Sequence, residues 1–209
     1  MTKTQIYLIS PPKIDDLKTF QKQLDDVISS KAISVFQLRL KNLENRDFVL
    51  LAKEILPPLQ DAGIACIIND NPKIARDVKA DGVHLGQSDG TIAEARKILG
   101  NDRIIGRTCH NSRHLAMMAA EEGADYVAFG AFYPTQTKEV KHMAEPEILT
   151  WWQDLMEIPC VAIGGIVAEN SLPIINAGAD FIAVSSGVWS HLGGVKTALN
   201  ELKQICETK

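Results

Sequence analysis

At 209 residues, 45% hydrophobic and 23% charged, the chain has the length and composition of one globular α/β domain. Its 22 basic against 26 acidic residues give a net charge of −4, so no basic footprint argues for nucleic acid, although local cations can still take an anionic substrate. No apolar run approaches the roughly 18 residues of a membrane span, and the opening MTKTQIYLIS enters a strand without a signal-peptide block, which leaves the cytoplasm as the expected location.

Cys66, Cys109, Cys160 and Cys206 have no close spacing and mostly sit in or beside apolar runs. They read as reduced small hydrophobes, forming neither a disulfide nor a zinc site.

In chain order, residues 5–10 read as a first strand stopped by Pro11-Pro12, and 15–29 as a helix spaced through Leu17, Phe20, Leu24 and Ile28. A second strand at 35–40 precedes a helix at 45–60, which Pro57-Pro58 should break late. Strand 65–68 runs into Asn69-Asp70-Asn71-Pro72 and a short helix to 79. Strand 83–85 closes on Gly86-Gln87-Ser88-Asp89, and Thr91 caps a helix to 99. Strand 104–107 leads to a helix at 112–122, stopped by Gly123. Strand 126–129 ends at Gly130, before the loop Tyr-Pro-Thr-Gln-Thr-Lys, and a helix covers 146–156. Strand 160–163 meets Gly164-Gly165, a helix covers 169–176, strand 181–184 follows, and a helix at 195–206 closes the chain.

One phrase echoes along the chain: KADGVHLG at 79–86, GADYVAFG at 123–130 and GADFIAVS at 178–185. The spacing is too irregular for a solenoid. Each copy ends a helix and starts a buried strand, as a repeated βα unit does. Eight doubly covered strands, each followed by a helix and with no linker between them, predict a single-domain (β/α)8 TIM barrel over 1–209. An open doubly wound sheet fits less well, because it would gather polar groups at one switch point rather than after nearly every strand.

Those polar groups carry the chemistry. Alternation along QLRLK puts Gln37, Arg39 and Lys41 on one face, pointing into the barrel mouth, with Leu38 and Leu40 toward the helices. Two cations there require an anionic ligand or internal carboxylates. Asn69 and Asp70 follow strand three and Asp89 follows strand four. Two carboxylates on adjacent strand ends beside cations suit Mg2+; alternatively Asp70 opens an Asx turn and Asp89 merely precedes a helix. Thr135, Gln136, Thr137 and Lys138 follow strand six, while Gly164-Gly165 and Ser185-Ser186 after strands seven and eight suit a phosphate. His110 and His114, four apart, would share a helix face, but no third ligand accompanies them. His84 reads as a satisfied core histidine, and Trp151-Trp152 as a helix packing on the barrel.

The ordered set QLRLK, IIND, GVHLGQSD, GRTCH, YPTQTK, AIGGI and AVSS resembles thiamine-phosphate synthase over roughly residues 5 to 190. That resemblance implies a (β/α)8 transferase of thiamine biosynthesis joining 4-amino-2-methyl-5-(diphosphooxymethyl)pyrimidine to a thiazole phosphate with release of pyrophosphate. It implies that Gln37, Leu38, Arg39, Leu40, Lys41 and Asn69 bind the pyrimidine diphosphate, with Thr108 standing where a serine is usual. It makes Asp70 and Asp89 the Mg2+ ligands and puts Lys138 on the diphosphate. Thr135, Gln136, Thr137, Gly165, Ser185 and Ser186 would hold the thiazole phosphate. Arg39, Lys41, Thr108 and Lys138 would be the catalytic group. The expected partners are small-molecule substrates, with no nucleic acid or membrane and a homo-oligomer left open. Arg107 replaces an apolar residue of the pattern, Ser185 replaces an Ile, Asn71 follows Asp70 in place of an acid or Arg, and the loop tail EVKHMAEPE departs from it. Two other readings compete: a thiazole tautomerase using His110 as acid–base, and a silent barrel that binds a thiamine precursor.

Overall fold

The structure is a computed structural model, and it describes residues 3–134 and 143–208. Eight parallel strands close into a barrel in sequence order, from β1 (Gln5–Ile9) through β2 (Ile33–Leu38), β3 (Ala65–Asn69), β4 (Gly82–Leu85), β5 (Ile104–His110), β6 (Tyr126–Gly130) and β7 (Cys160–Ile163) to β8 (Phe181–Val184). β1 closes the ring on β8 with Leu8 opposite Val184. The crossovers carry α1 (Leu17–Ser30), α2 (Asn45–Asp61), α3 (Pro72–Asp77), α4 (Ile92–Leu99), α5 (Arg113–Glu121), α6 (Glu147–Leu155) and α7 (Ala168–Asn176). A four-residue α8 (Ser186–Trp189) precedes α9 (Val195–Glu207). The expected TIM barrel is therefore the observed fold.

Alternation along the strands sorts the core into two layers. Ile6, Leu8, Phe36, Leu38, Val127 and Phe129 pack outward against the helices, where Trp152 is fully buried edge-on to Phe129. Tyr7, Ile9, Tyr126, Ala128, Val161 and Ala183 fill the interior. The Tyr126 ring fits there because Gly106 faces it. A Cβ on Gly106 would stand 1.9 Å from the Tyr126 ring, and one on Gly82 would stand 2.2 Å from the Ile104 carbonyl. All four cysteines are buried. Burial pushes the Cys109 and Cys160 thiols up to about 12 and Cys206 up to about 11, so they stay protonated and unreactive.

Two expectations need correction. β2 ends at Leu38, not at residue 40, so Arg39 and Lys41 belong to the following loop and strand alternation does not aim them. Leu40 lengthens the apolar run, but the pairing with β3 stops at Leu38. Pro57-Pro58 does not break α2, which runs on to Asp61. Both prolines lie on the exposed side, where water can take the carbonyls their missing N–H groups leave, while Ile55, Leu56 and Leu59 remain buried.

The echoed phrase has a structural cause at the N-terminal end of the barrel. The Asp81 carboxylate accepts the Cys66 N–H at the start of β3 at 2.8 Å, Asp125 accepts the Ile105 N–H of β5 at 2.7 Å, and Asp180 accepts the Cys160 N–H of β7 at 2.8 Å. Each carboxylate also accepts a side chain from the helix before that strand: Gln60 of α2, Arg96 of α4 and Gln153 of α6, respectively. One clamp thus joins a helix and two strands three times over. Asp180→Ala should cost about 1–3 kcal/mol by orphaning the Cys160 N–H, read as a lower urea midpoint with an unchanged slope. No loss of stability would show that the clamp is incidental.

Candidate active site

At the C-terminal end of the barrel, where such folds place their ligands, β2 to β5 contribute inward-facing polar groups. Gln37 is 3% exposed and donates through Nε2 to the Tyr7 hydroxyl at 2.8 Å. Tyr7 Oη lies 2.9 Å from Tyr126 Oη, which lies 2.8 Å from His84 Nδ1, and His84 Nε2 lies 2.8 Å from Thr108 Oγ1. His84 is thus the satisfied histidine expected, and its partners tie Thr108 on β5 to Gln37 on β2. Burial pushes both tyrosine hydroxyls upward, so both remain phenols.

Arg39 is half-buried just past β2 and has no carboxylate within ion-pairing distance among the described residues. Its backbone is fixed by Ser10, whose Oγ accepts the Arg39 N–H at 2.9 Å and donates to the Arg39 carbonyl at 3.2 Å. Lys41 is exposed and lines a cavity of about 440 Å³ with Lys13, Ile14, Leu40 and Leu43. The Leu38 side chain is sealed against the helices, so only its main chain can meet a ligand.

Asp70 follows β3 with φ of 66°, its N–H donating 2.8 Å to the His84 carbonyl on β4, which brings the ends of β3 and β4 together. The cap of α3 is Asn71, whose side chain accepts from the Lys73 and Ile74 N–H groups. The cap of α4 is Thr91, in a capping box with Glu94. Neither Asp70 nor Asp89 is therefore the helix cap. Asp89 instead turns back to accept the Gly86 N–H at 2.8 Å, and a Cβ on Gly86 would stand 2.6 Å from that oxygen.

The Asp89 turn has a brace that the sequence did not announce. Arg107, on the helix-facing side of β5, donates to the Gly90 carbonyl at 2.8 Å and reaches the Gln87 carbonyl at 3.5 Å. The Gln87 amide donates to the Thr108 carbonyl. The signal was the departure itself: a cation where the pattern is apolar must find acceptors, and the nearest strand-end carbonyls supply them.

After β7, Gly164 and Gly165 take φ of 105° and 65°, and a Cβ on Gly165 would stand 2.5 Å from the Pro134 carbonyl. Asn170 secures this turn by accepting the Val167 N–H at 2.8 Å and donating to the Gly165 carbonyl at 2.9 Å. The Tyr133 hydroxyl in turn donates to the Asn170 carbonyl at 2.7 Å. Ser185 donates to the Ser10 carbonyl at 3.2 Å, and exposed Ser186 opens α8. The glycine pair and the serine pair end neighbouring strands, as expected.

His110 and His114 do not share a helix. β5 runs on through Thr108 and Cys109 to His110, while Ser112 caps α5, which carries His114. The expectation failed because Thr-Cys-His lacks the apolar run that marked the other strands. Thr135, Gln136, Thr137 and Lys138 lie outside the described residues.

Fold and site together define a TIM-barrel protein whose strand ends carry hydroxyl, amide, cationic and carboxylate groups suited to phosphorylated ligands. The model of the thiamine monophosphate synthase family matches residues 6–188, and the chain belongs to that family. It is 50% identical over 206 residues to the thiamine-phosphate synthase of Rhodospirillum centenum, covering 98% of this chain and 99% of that one. It is 47% identical over 210 residues to the thiamine-phosphate synthase of Hyphomonas neptunium, covering 99% and 95%. Among solved structures, thiamine phosphate pyrophosphorylase from Pyrococcus furiosus superposes with a TM-score of 0.85 at 29% identity, covering 99% of this chain and 96% of that one.

Arg107→Ala should loosen the 86–90 turn without disturbing the barrel. Amides of that turn should exchange about tenfold faster or more, the equivalent of one charge-assisted hydrogen bond, while strand amides stay protected. Unchanged exchange in the turn would show that Arg107 does not hold it.

Proposed function

We propose that the chain is a thiamine-phosphate synthase, a transferase that joins an aminopyrimidine methyl diphosphate to a thiazole phosphate and releases pyrophosphate. Family membership over nearly the whole chain supports this reading. The observation that carries it is Arg39, a half-buried cation at a strand end with no internal carboxylate to neutralise it among the described residues. Such a cation lowers its free energy when an anionic substrate arrives.

In this reading the pyrimidine diphosphate binds over β2 to β5, with Gln37, Asn69 and Thr108 beside the ring and Arg39, Lys41 and Lys138 around the diphosphate. Asp70 and Asp89 would hold Mg2+. Among the described residues no group of three or more His, Cys, Asp or Glu side chains gathers as a metal site. Mg2+ does not need one, because it is held through one or two carboxylates plus substrate phosphates and water. Asp89 retains acceptor capacity after taking the Gly86 N–H, so the all-oxygen pair fits. When bound, the ion supplies charge that stabilises departing pyrophosphate.

The chain's own groups do the rest. Arg39, Lys41 and Lys138 stabilise the negative charge that grows as the methylene C–O bond breaks and pyrophosphate leaves with the electron pair. The thiazole nitrogen then forms the new C–N bond, its phosphate held by Thr135 to Thr137, Gly165, Ser185 and Ser186. No proton transfer to carbon is required, so no general base is called for.

Asp89→Asn should lower turnover and raise the Mg2+ concentration needed for half-maximal coupling, with little change in urea midpoint. Full activity of this variant in excess chelator would sink the metal assignment. Lys138→Ala should lower kcat by roughly 10²-fold or more with a smaller change in KM, while His110→Ala does much less. The reverse order, with tautomerisation in place of coupling, would identify a thiazole tautomerase; binding without turnover would identify a silent barrel.

A further inference from the structure

The barrel interior holds a line of polar groups whose hydrogens can be counted: Gln37 Nε2, Tyr7 Oη, Tyr126 Oη, the His84 ring through Nδ1 and Nε2, and Thr108 Oγ1, with its four hydrogen-bonded pairs 2.8–2.9 Å apart. A phenol has one hydrogen to donate, a neutral imidazole has one, and an amide nitrogen can only donate. Gln37 donates to Tyr7, so Tyr7 must place its own hydrogen elsewhere. Among the described residues its hydroxyl has two partners, Gln37 and Tyr126. The Tyr7 hydrogen therefore goes to Tyr126, the Tyr126 hydrogen goes to His84 Nδ1, and the His84 hydrogen sits on Nε2 and goes to Thr108.

The opposite direction would leave the Tyr7 hydrogen without an acceptor in a residue only 2% exposed. An imidazolium fails on the same count, because its Nδ1–H would occupy the Tyr126 oxygen and force the Tyr126 hydrogen back onto Tyr7. Both phenols keep their hydrogens, because burial disfavours their ionisation.

We infer that Tyr7, Tyr126 and His84 form a one-way hydrogen-bond relay that holds His84 as the Nε2–H tautomer and leaves the Thr108 hydroxyl hydrogen directed to the substrate. The inference rests on reading Thr108 as a contact of the pyrimidine substrate. Thr108 already accepts from His84, and among the described residues its hydroxyl has no other partner, so its single hydrogen is left for an acceptor at the mouth. The acceptor it selects is a ring nitrogen or an oxygen rather than an amino group. Tyr7, Tyr126 and His84 are positioning residues; they act through Thr108 and need not touch the substrate. Two features keep the relay single-file. The rings of His84 and Tyr126 stack at 5.6 Å, and Gly106 leaves no side chain to wedge them apart.

The test begins with the wild-type protein and no ligand. Long-range ¹H–¹⁵N spectra should show His84 as a neutral ring with its proton on Nε2 at neutral pH. A proton on Nδ1, or on both nitrogens, overturns the relay whatever reaction the protein catalyses. The second arm is a double-mutant cycle in the coupling assay. Tyr126→Phe keeps the ring and removes the joining hydroxyl; it should lose the fixed tautomer and lower kcat about tenfold, with a smaller change in KM. Thr108→Ala should give a similar loss, and Tyr126→Phe added to it should cost nothing further, because both break one line. Thr108→Ser should restore turnover and again depend on Tyr126. Losses that multiply would overturn the inference. So would near-wild-type turnover in Thr108→Ala. Failure of the wild-type protein to couple the two substrates would instead overturn the functional reading and leave the spectroscopic result standing.

Discussion

Closing eight strands into a ring leaves an interior just wide enough for side chains to fill, and that constraint governs the rest of this molecule. Two tyrosine rings occupy that interior, and the glycine at 106 leaves the space that the Tyr126 ring fills. A phenol brings a hydroxyl into a buried space, and that hydroxyl must find a partner. The polar line through Gln37, His84 and Thr108 follows from this need. Packing at the centre of the barrel thus decides which groups reach the mouth and in what orientation.

The two ends of the barrel solve different problems. At the N-terminal end, carboxylates are consumed by strand N–H groups and helix side chains, as Asp81, Asp125 and Asp180 show. At the C-terminal end, the helix starts after β3 and β4 are capped by Asn71 and Thr91, which spares Asp70 and Asp89 that duty. The same residue type ties strands to helices at one end and is left out of helix capping at the other. Only position along the strand tells them apart.

Much of this was legible in the sequence, for identifiable reasons. Strands buried on both faces read as plain apolar runs, so β7 and β8 were placed to the residue. The strand-end residues stood out because Gly, Ser, Asn and Asp cannot continue such runs. Where polarity and structure part company, the reading slipped. Leu40 carried β2 too far, Thr-Cys-His hid the last three residues of β5, and α8 is too short to show a period. Tyr7 and Tyr126 fall within the expected strands, but their meeting spans 119 residues of chain, and no local pattern encodes a contact across the ring. The brace from Arg107 was visible only as a cation out of place.

The aspartate clamp gives the barrel a grain. Each copy ties an even-numbered helix forward to the next two strands, α2 to β3 and β4, α4 to β5 and β6, α6 to β7 and β8. The module that carries its own bonds is therefore a strand pair with the helix that precedes it, not the single βα unit by which such barrels are usually counted. A duplication, swap or split that respects those pairs keeps every clamp whole. One that cuts between β3 and β4, or between β5 and β6, separates an aspartate from the N–H it serves. For gene fusion and fragment complementation, the chain from α2 onward is built in strand pairs.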